Sequence, residues 1–134
     1  MSDSSLVVLK AVVAKLLATA GLTAITGTRV YSDVPQPTAF PYAVVEIESQ
    51  PWVNDSSSDM MHKVTVHGYS RKTSPSEIMN IAAQSYAALD RQEASLSVDS
   101  GTVLECVYDG VKTNFKESDG ITWHSVIEFR IIMN

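Results

Sequence analysis

The chain has 134 residues, 45% of them apolar and 19% charged, with a formal net charge of −5 from 15 acidic and 10 basic side chains. That is enough material for one domain with its own core, and the balance lies outside the disordered range. The basic residues are scattered, Arg71-Lys72 being the tightest cluster, which argues against a nucleic-acid groove built on counterion release.

Cys106 is the single cysteine, so neither an intrachain disulfide nor a cysteine-rich metal site is available. The first apolar stretch, LVVLKAVVAKLLATAG, is interrupted by Lys10 and Lys15. It covers about fifteen residues where a membrane span takes about twenty. Its charges lie inside the run and Asp3 precedes it, unlike a secretory signal. The expectation is a soluble, intracellular protein in a reducing compartment.

Asp3, Ser4 and Ser5 offer N-caps to a first helix over residues 5–20. Leu6, Leu9, Val13, Leu16 and Leu17 recur at helical spacing, and Gly21 stands where a left-handed C-terminal residue is wanted. Val7, Val8 and Val12 widen the apolar arc. A wide arc means a helix deep in the core or one that meets a neighbouring subunit.

A short helical turn, a small strand at residues 29–32 and a connection broken by Pro35, Pro37 and Pro41 follow. In YAVVEIES, Ala43, Val45 and Ile47 alternate with Val44, Glu46 and Glu48, so the face carrying Glu46 and Glu48 reaches water or a lumen. QPWVNDSSSDM reads as a polar loop containing Trp52. MMHKVTVHGYS is a second strand, with Val64, Val66 and Gly68 on one side and Lys63, Thr65, His67 and Tyr69 on the other.

SPSE starts a helix running to about residue 92, with Ser74 as N-cap, Pro75 at the first helical position and Glu77 closing a capping box. Ile78, Ile81, Ala82, Ser85, Tyr86 and Leu89 form its apolar face. A linker around residues 97–101 leads to the strand TVLECVYDGV. After the SDG turn, ITWHSVIEFRIIM is the last strand. The order predicts one α+β domain over residues 1–134: a mainly antiparallel or mixed sheet of four to five strands with two main helices packed on it.

The C-terminal stretch holds Ser118, Asp119, His124 and Ser125, the side chains of a hydrolytic triad. His124 and Ser125 are strand neighbours and therefore point to opposite faces, and Asp119-Gly120 is turn chemistry. His62 and His67 also face opposite ways. One of them can approach His124 across strands, but two imidazoles without a placed carboxylate make a poor metal site. Cys106 reads as a small buried residue, and no phosphate-cradling glycine motif is present. No catalytic residue, cofactor or metal ligand is expected.

The motifs in order are G-x-R-V-Y (Gly27 to Tyr31), P-Y-x-V (Pro41 to Val44), Tyr69-Ser70, the helix from Glu77 to Ala82, and the strand from Asp119 to Arg130. In this order and spacing, over residues 6–132, the chain resembles the tail-completion or tail-terminator proteins of long-tailed bacteriophages and gene transfer agents. The resemblance implies a ring, typically of six subunits, that caps the tail tube and presents a docking face to the head–tail connector. It implies no catalysis and no membrane, with DNA met only in passage through the channel. It also implies a place in the virion at the tail–neck junction, after assembly in the host bacterial cytoplasm. Subunits of such a ring can be monomers in solution. The candidate partner loop is Trp52, Val53, Asn54 and Asp55, with Trp52 either an interface anchor or packed on its own sheet. Glu46 and Glu48 are the candidate lumen or solvent-face acids. A head-side connector or stopper, and a small α+β enzyme with a site between subunits, are the competing readings.

Overall fold

The computed structural model of the protein describes residues 3–52 and 59–134. Helix α1 (Ser5–Leu17), helix α2 (Ala20–Thr26), strand β1 (Val30–Tyr31), strand β2 (Tyr42–Pro51) and strand β3 (Met60–Ser70) come first. Helix α3 (Ser76–Leu89), a 3-10 turn (Glu93–Ser95), strand β4 (Val103–Lys116) and strand β5 (Trp123–Met133) complete the order. The five strands form one sheet in the order β1-β2-β3-β5-β4. Only β1 runs parallel to its neighbour, so the sheet is mixed but mostly antiparallel, as the alternation predicts.

All helices lie against one face of the sheet. Ala43, Val45, Val64, Val66, Ile127, Phe129 and Ile131 point into that layer and meet Val8, Val12 and Leu16 of α1 and Ile78, Ile81 and Leu89 of α3. Each large side chain so buried contributes about 1.5–3 kcal/mol. Cys106 belongs to the same layer; its thiol donates to the Leu89 carbonyl at 3.0 Å, and burial pushes it up to about 12, which leaves it unreactive.

The first helix differs from the sequence expectation. It ends at Leu17, and Thr19 adopts an extended backbone with its hydroxyl donating to the Lys15 carbonyl at 2.7 Å. The chain then bends by 81° into α2. Gly21 sits inside α2, where a side chain would run into the Gln84 carboxamide, and the left-handed glycine is Gly27, φ 62°, at the end of that helix. Val8, Ala11, Val12 and Leu16 face the core, whereas Leu6 and Leu17 are exposed. No single helix is long and apolar enough to cross a membrane among the described residues.

Two details of α3 also differ. Ser74 does accept the Ser76 N–H at 3.2 Å, but Glu77 closes no capping box, because it accepts from the Ser70 hydroxyl at 2.7 Å and pairs with Lys72 at 3.5 Å. The helix stops at Leu89, and Tyr86 lies outside the core, edge-on to Tyr108, while Ala88 is buried in its stead.

His62 is fully buried on the helix side of β3, between the Ser4 hydroxyl at 2.7 Å and the Ser49 hydroxyl at 2.6 Å. It fastens the start of α1 to β2 and β3, which is why Ser4 does not cap its own helix. Burial holds its imidazole below the ordinary 6.5, with Asp3 acting weakly the other way. Since unfolding frees a more basic imidazole, this contribution is complete above pH 6.5 and is lost as pH falls toward the lower folded value. Protection factors of the amides in the first turns of α1, corrected for the intrinsic pH dependence of exchange, are expected to fall between pH 6.5 and 5, and His62→Gln is expected to flatten that dependence. Protection factors that do not change with pH in the parent protein would refute this role.

Candidate functional site

Among the described residues no helix covers the second face of the sheet. Its rows are the alternate residues Tyr42, Val44, Glu46, Glu48 and Gln50 of β2, Lys63, Thr65, His67 and Tyr69 of β3, and His124, Val126, Glu128 and Arg130 of β5. The structure therefore brings Glu46, Glu48 and Trp52, the described candidates from the sequence, to this one face. Val53, Asn54 and Asp55 lie outside the described residues. Trp52 is half-exposed and packs against the Arg130 guanidinium, whose carbon is 5.9 Å from the indole centre, so it rests on its own sheet. Glu48 is exposed and lines a polar hollow with Ser49, Gln50, Met61 and Lys63.

Ion pairs lace the lower half of this face. Lys63 Nζ meets Glu128 at 3.1 Å; Arg130 meets Glu105 at 2.7 Å and Asp109 at 3.8 Å. Across the upper half runs a line of rings: Tyr42 stacks on Tyr69 at 4.9 Å, Tyr69 on His124 at 4.4 Å, and Phe115 lies 4.8 Å from His124. Burial pushes both tyrosine phenols above their ordinary 10.0.

Glu46, His67, His124 and Glu117 form a chain among these rings. Glu46 Oε1 is 3.1 Å from His67 Nε2, and His67 Nδ1 is 2.8 Å from His124 Nε2. His124 Nδ1 lies 2.9 Å from Glu117 Oε1 but off its N–H direction, an ion pair rather than an aligned hydrogen bond. Burial and the charge of His67 hold His124 below 6.5, with Glu117 opposing. Sequence reasoning allowed a histidine pair but missed the flanking carboxylates. Glu117 directly follows β4 and is far in sequence from His67, and only the β4–β5 hairpin sets it beside the His124 ring. Among the described residues no group of three or more His, Cys, Asp or Glu side chains is placed to hold a metal ion.

Serine 125 lies on the buried side, beside Gly68 and α3, so it is separated from His124 by the sheet itself. Asp119 accepts the Thr122 and Ile121 N–H groups at 2.9 Å and the Thr122 hydroxyl at 2.7 Å, and these bonds lower its carboxyl to about 2. It builds the turn and takes no part in a triad.

Among the described residues neither lateral edge of the sheet is paired, and each presents exposed apolar side chains. At the β1 edge, Leu6, Leu9, Val13, Ala14 and Leu17 of α1, with Lys10 and Ser32, line a shallow hollow of about 340 Å³. At the opposite edge, β4 presents Leu104, Val111 and Phe115, and the turn after it presents Ile121. Leu6 is 61% and Ile121 59% exposed, high values for large aliphatic side chains in a folded protein. Bulges at Leu104 and between Tyr108 and Lys112 turn side chains of β4 outward.

A family model described as tail completion protein gp17 matches residues 10–134. No curated protein matches the chain. Among solved structures, a chain of the "Virion of native gene transfer agent (GTA) particle" is similar, with a TM-score of 0.85 and 18% identity over 99% of this chain and 98% of that one. At that identity the likeness is one of fold.

Proposed function

The chain belongs to the tail completion protein gp17 family, whose members are structural components of the virion tail, and we propose that it caps the tail tube as a closed ring and forms the head–tail joint. One observation carries the ring: the apolar hollow on α1 and the apolar β4 edge lie at opposite ends of one sheet. Surfaces that differ and sit on opposite sides of a subunit pair head to tail, and such pairing closes into a ring when the rotation allows. Six copies is the number the family resemblance implies. Ring formation on the tube, with a monomer in solution, suits edges of this modest size.

In this reading the partners are the tail tube protein on one surface and the connector proteins on the other, and DNA only passes through. The net charge of −5 favours a wall that does not grip phosphates. Glu46 and Glu48 stand on the open sheet face as candidates for that wall, and the loop from Trp52 through Asp55 is a candidate contact with a partner. The protein catalyses nothing in this role.

The test is negative-stain imaging of particles from a phage or prophage lacking the gene. Tails of abnormal length, unjoined to filled heads, are expected. Filled heads leaking DNA beside tails of normal length would move the protein to the head side of the neck. Intact, infectious particles would overturn the virion role.

A further inference from the structure

We propose that neighbouring copies join by strand addition, the second half of β4 in one copy pairing antiparallel with the free half of β2 in the next. This joint rests on the ring reading and supplies the contact that closes it. β1 is in register with β2 only at Ala43 and Val44, so among the described residues the outer side of residues 46–51 faces no strand.

In an antiparallel pair, residues bonded to the neighbour alternate with residues whose N–H and C=O point away from it. Trp52 donates to the Asp59 carbonyl at 3.0 Å, in register with the β2–β3 ladder, and Ala43 donates the other way, to the Arg29 carbonyl at 3.0 Å. Both bonds turn the even-numbered residues of β2 toward β3 and leave Ile47 and Ser49 facing outward. At the other end of the sheet Glu117 donates to the Thr122 carbonyl at 2.8 Å, in register with the β4–β5 ladder. Thr113 and Phe115 therefore bond to β5, and Lys112, Asn114 and Lys116 face outward. The first half of β4 is closed off by its own chain: Cys106 accepts from the Arg91 N–H at 2.7 Å, and Tyr108 donates to Asp90 Oδ1 at 2.9 Å. Among the described residues no such cover reaches Lys112, Asn114 or Lys116.

Direction and facing agree. Each step from β2 through β3 and β5 to β4 is antiparallel, so β4 runs opposite to β2. A rotation that carries one copy onto the next without turning the sheet over keeps that sense, and the edges meet antiparallel, the stronger pairing. The outward residues have their side chains on the helix side: Ile47 packs on the core, and Lys112, Asn114 and Lys116 stand opposite Ile127, Ser125 and Trp123. Joined edges thus continue one sheet with every helix on the same side. In that helix layer the β4 flank of α3, where Met79 and Tyr86 are exposed, turns toward the α1 hollow of the next copy. The segments also differ in charge. Residues 45–51 carry Glu46 and Glu48 and no base, whereas residues 111–116 carry Lys112 and Lys116 and no acid. The acids and lysines lie on opposite faces, so the attraction steers the edges together without forming ion pairs.

The test compares the free full chain with the same chain bound to purified tails lacking it, by hydrogen exchange read at single residues, with imaging of the same tails. The amides of Ile47, Ser49, Lys112, Asn114 and Lys116 are expected to slow about tenfold or more on the tails. Asn114→Pro removes an outward N–H that has no partner within the subunit. It is expected to keep the parent's circular dichroism and to lower the fraction of capped tails about tenfold or more. A ring whose five outward amides exchange as in the free chain would overturn the strand joint and leave the ring standing, as would Asn114→Pro capping tails as well as its parent. A chain that stays off the tails, or sits on them without forming a ring, would overturn the ring reading and the joint with it. Should Asn114→Pro not fold, exchange on the parent chain remains the deciding measurement.

Discussion

Replacing Gly68 with alanine is expected to destabilise the protein by about 2–3 kcal/mol, and valine by roughly twice that. Gly68 sits in β3, the central strand, on the face that receives α3. A Cβ there would stand 2.5 Å from Ser125 Oγ, 2.8 Å from Ile81 Cγ2 and 3.3 Å from Ile78 Cδ1. Two effects oppose each other. Removing a glycine from a strand interior gains about 0.5–1 kcal/mol through the unfolded chain and strand propensity. The steric term is larger, because both isoleucines are fully buried and belong to the seam that seats the helix. Total stabilities run at about 5–15 kcal/mol, so the valine variant is expected to be largely unfolded at moderate temperature. Urea midpoints with an unchanged m-value would measure the loss. An alanine variant as stable as its parent would mean that α3 does not approach β3 at this point.

Strands and their faces were legible in the sequence because a sheet with one covered face writes a period of two directly into the residue order. Ala43, Val45, Val64, Val66, Ile127 and Phe129 all point as the alternation predicts. The first helix was misread for a physical reason. Leucines at helical spacing look alike whether they face a core or an uncovered edge: Leu16 is buried, Leu6 and Leu17 are exposed, and Val8, Ala11 and Val12 complete the core side. The bend at Thr19 carries no proline or glycine of its own; a threonine hydroxyl bonded back to Lys15 makes it. At the open face, Glu46 and Glu48 were placed correctly by alternation, and Trp52 was found as a residue but not with its partner Arg130. Cross-strand register set that contact, and register also joined His67 to His124 and brought Glu117 to them. A single sequence read strand by strand contains the members of such a chain without their adjacency.

Aspartate at Leu6 or at Ile121 is expected to leave the fold intact and to abolish ring formation. Both side chains are mostly in water, so their loss removes little buried area within the subunit. Leu6 lies in the first turn of α1, which has no acidic residue, and a carboxylate there is favoured by the helix dipole. At an intersubunit contact the same carboxylate would lose its water without gaining a partner. That costs at least about 2 kcal/mol, roughly thirty-fold in the contact constant. The loss recurs at every contact around a ring, so infectious titre from a complemented deletion strain is expected to fall by orders of magnitude while circular dichroism and thermal midpoint stay near the parent values. The two variants also separate head-to-tail from symmetric contacts. A Leu6→Asp copy keeps its β4 edge and an Ile121→Asp copy keeps its α1 hollow, so the mixture can form one sound contact per pair and nothing longer. Sedimentation of the mixture at high concentration, or on tails lacking the protein, should show capped dimers where each variant alone stays monomeric. Full complementation by both single variants would remove these edges from the interface and leave the ring without its structural support.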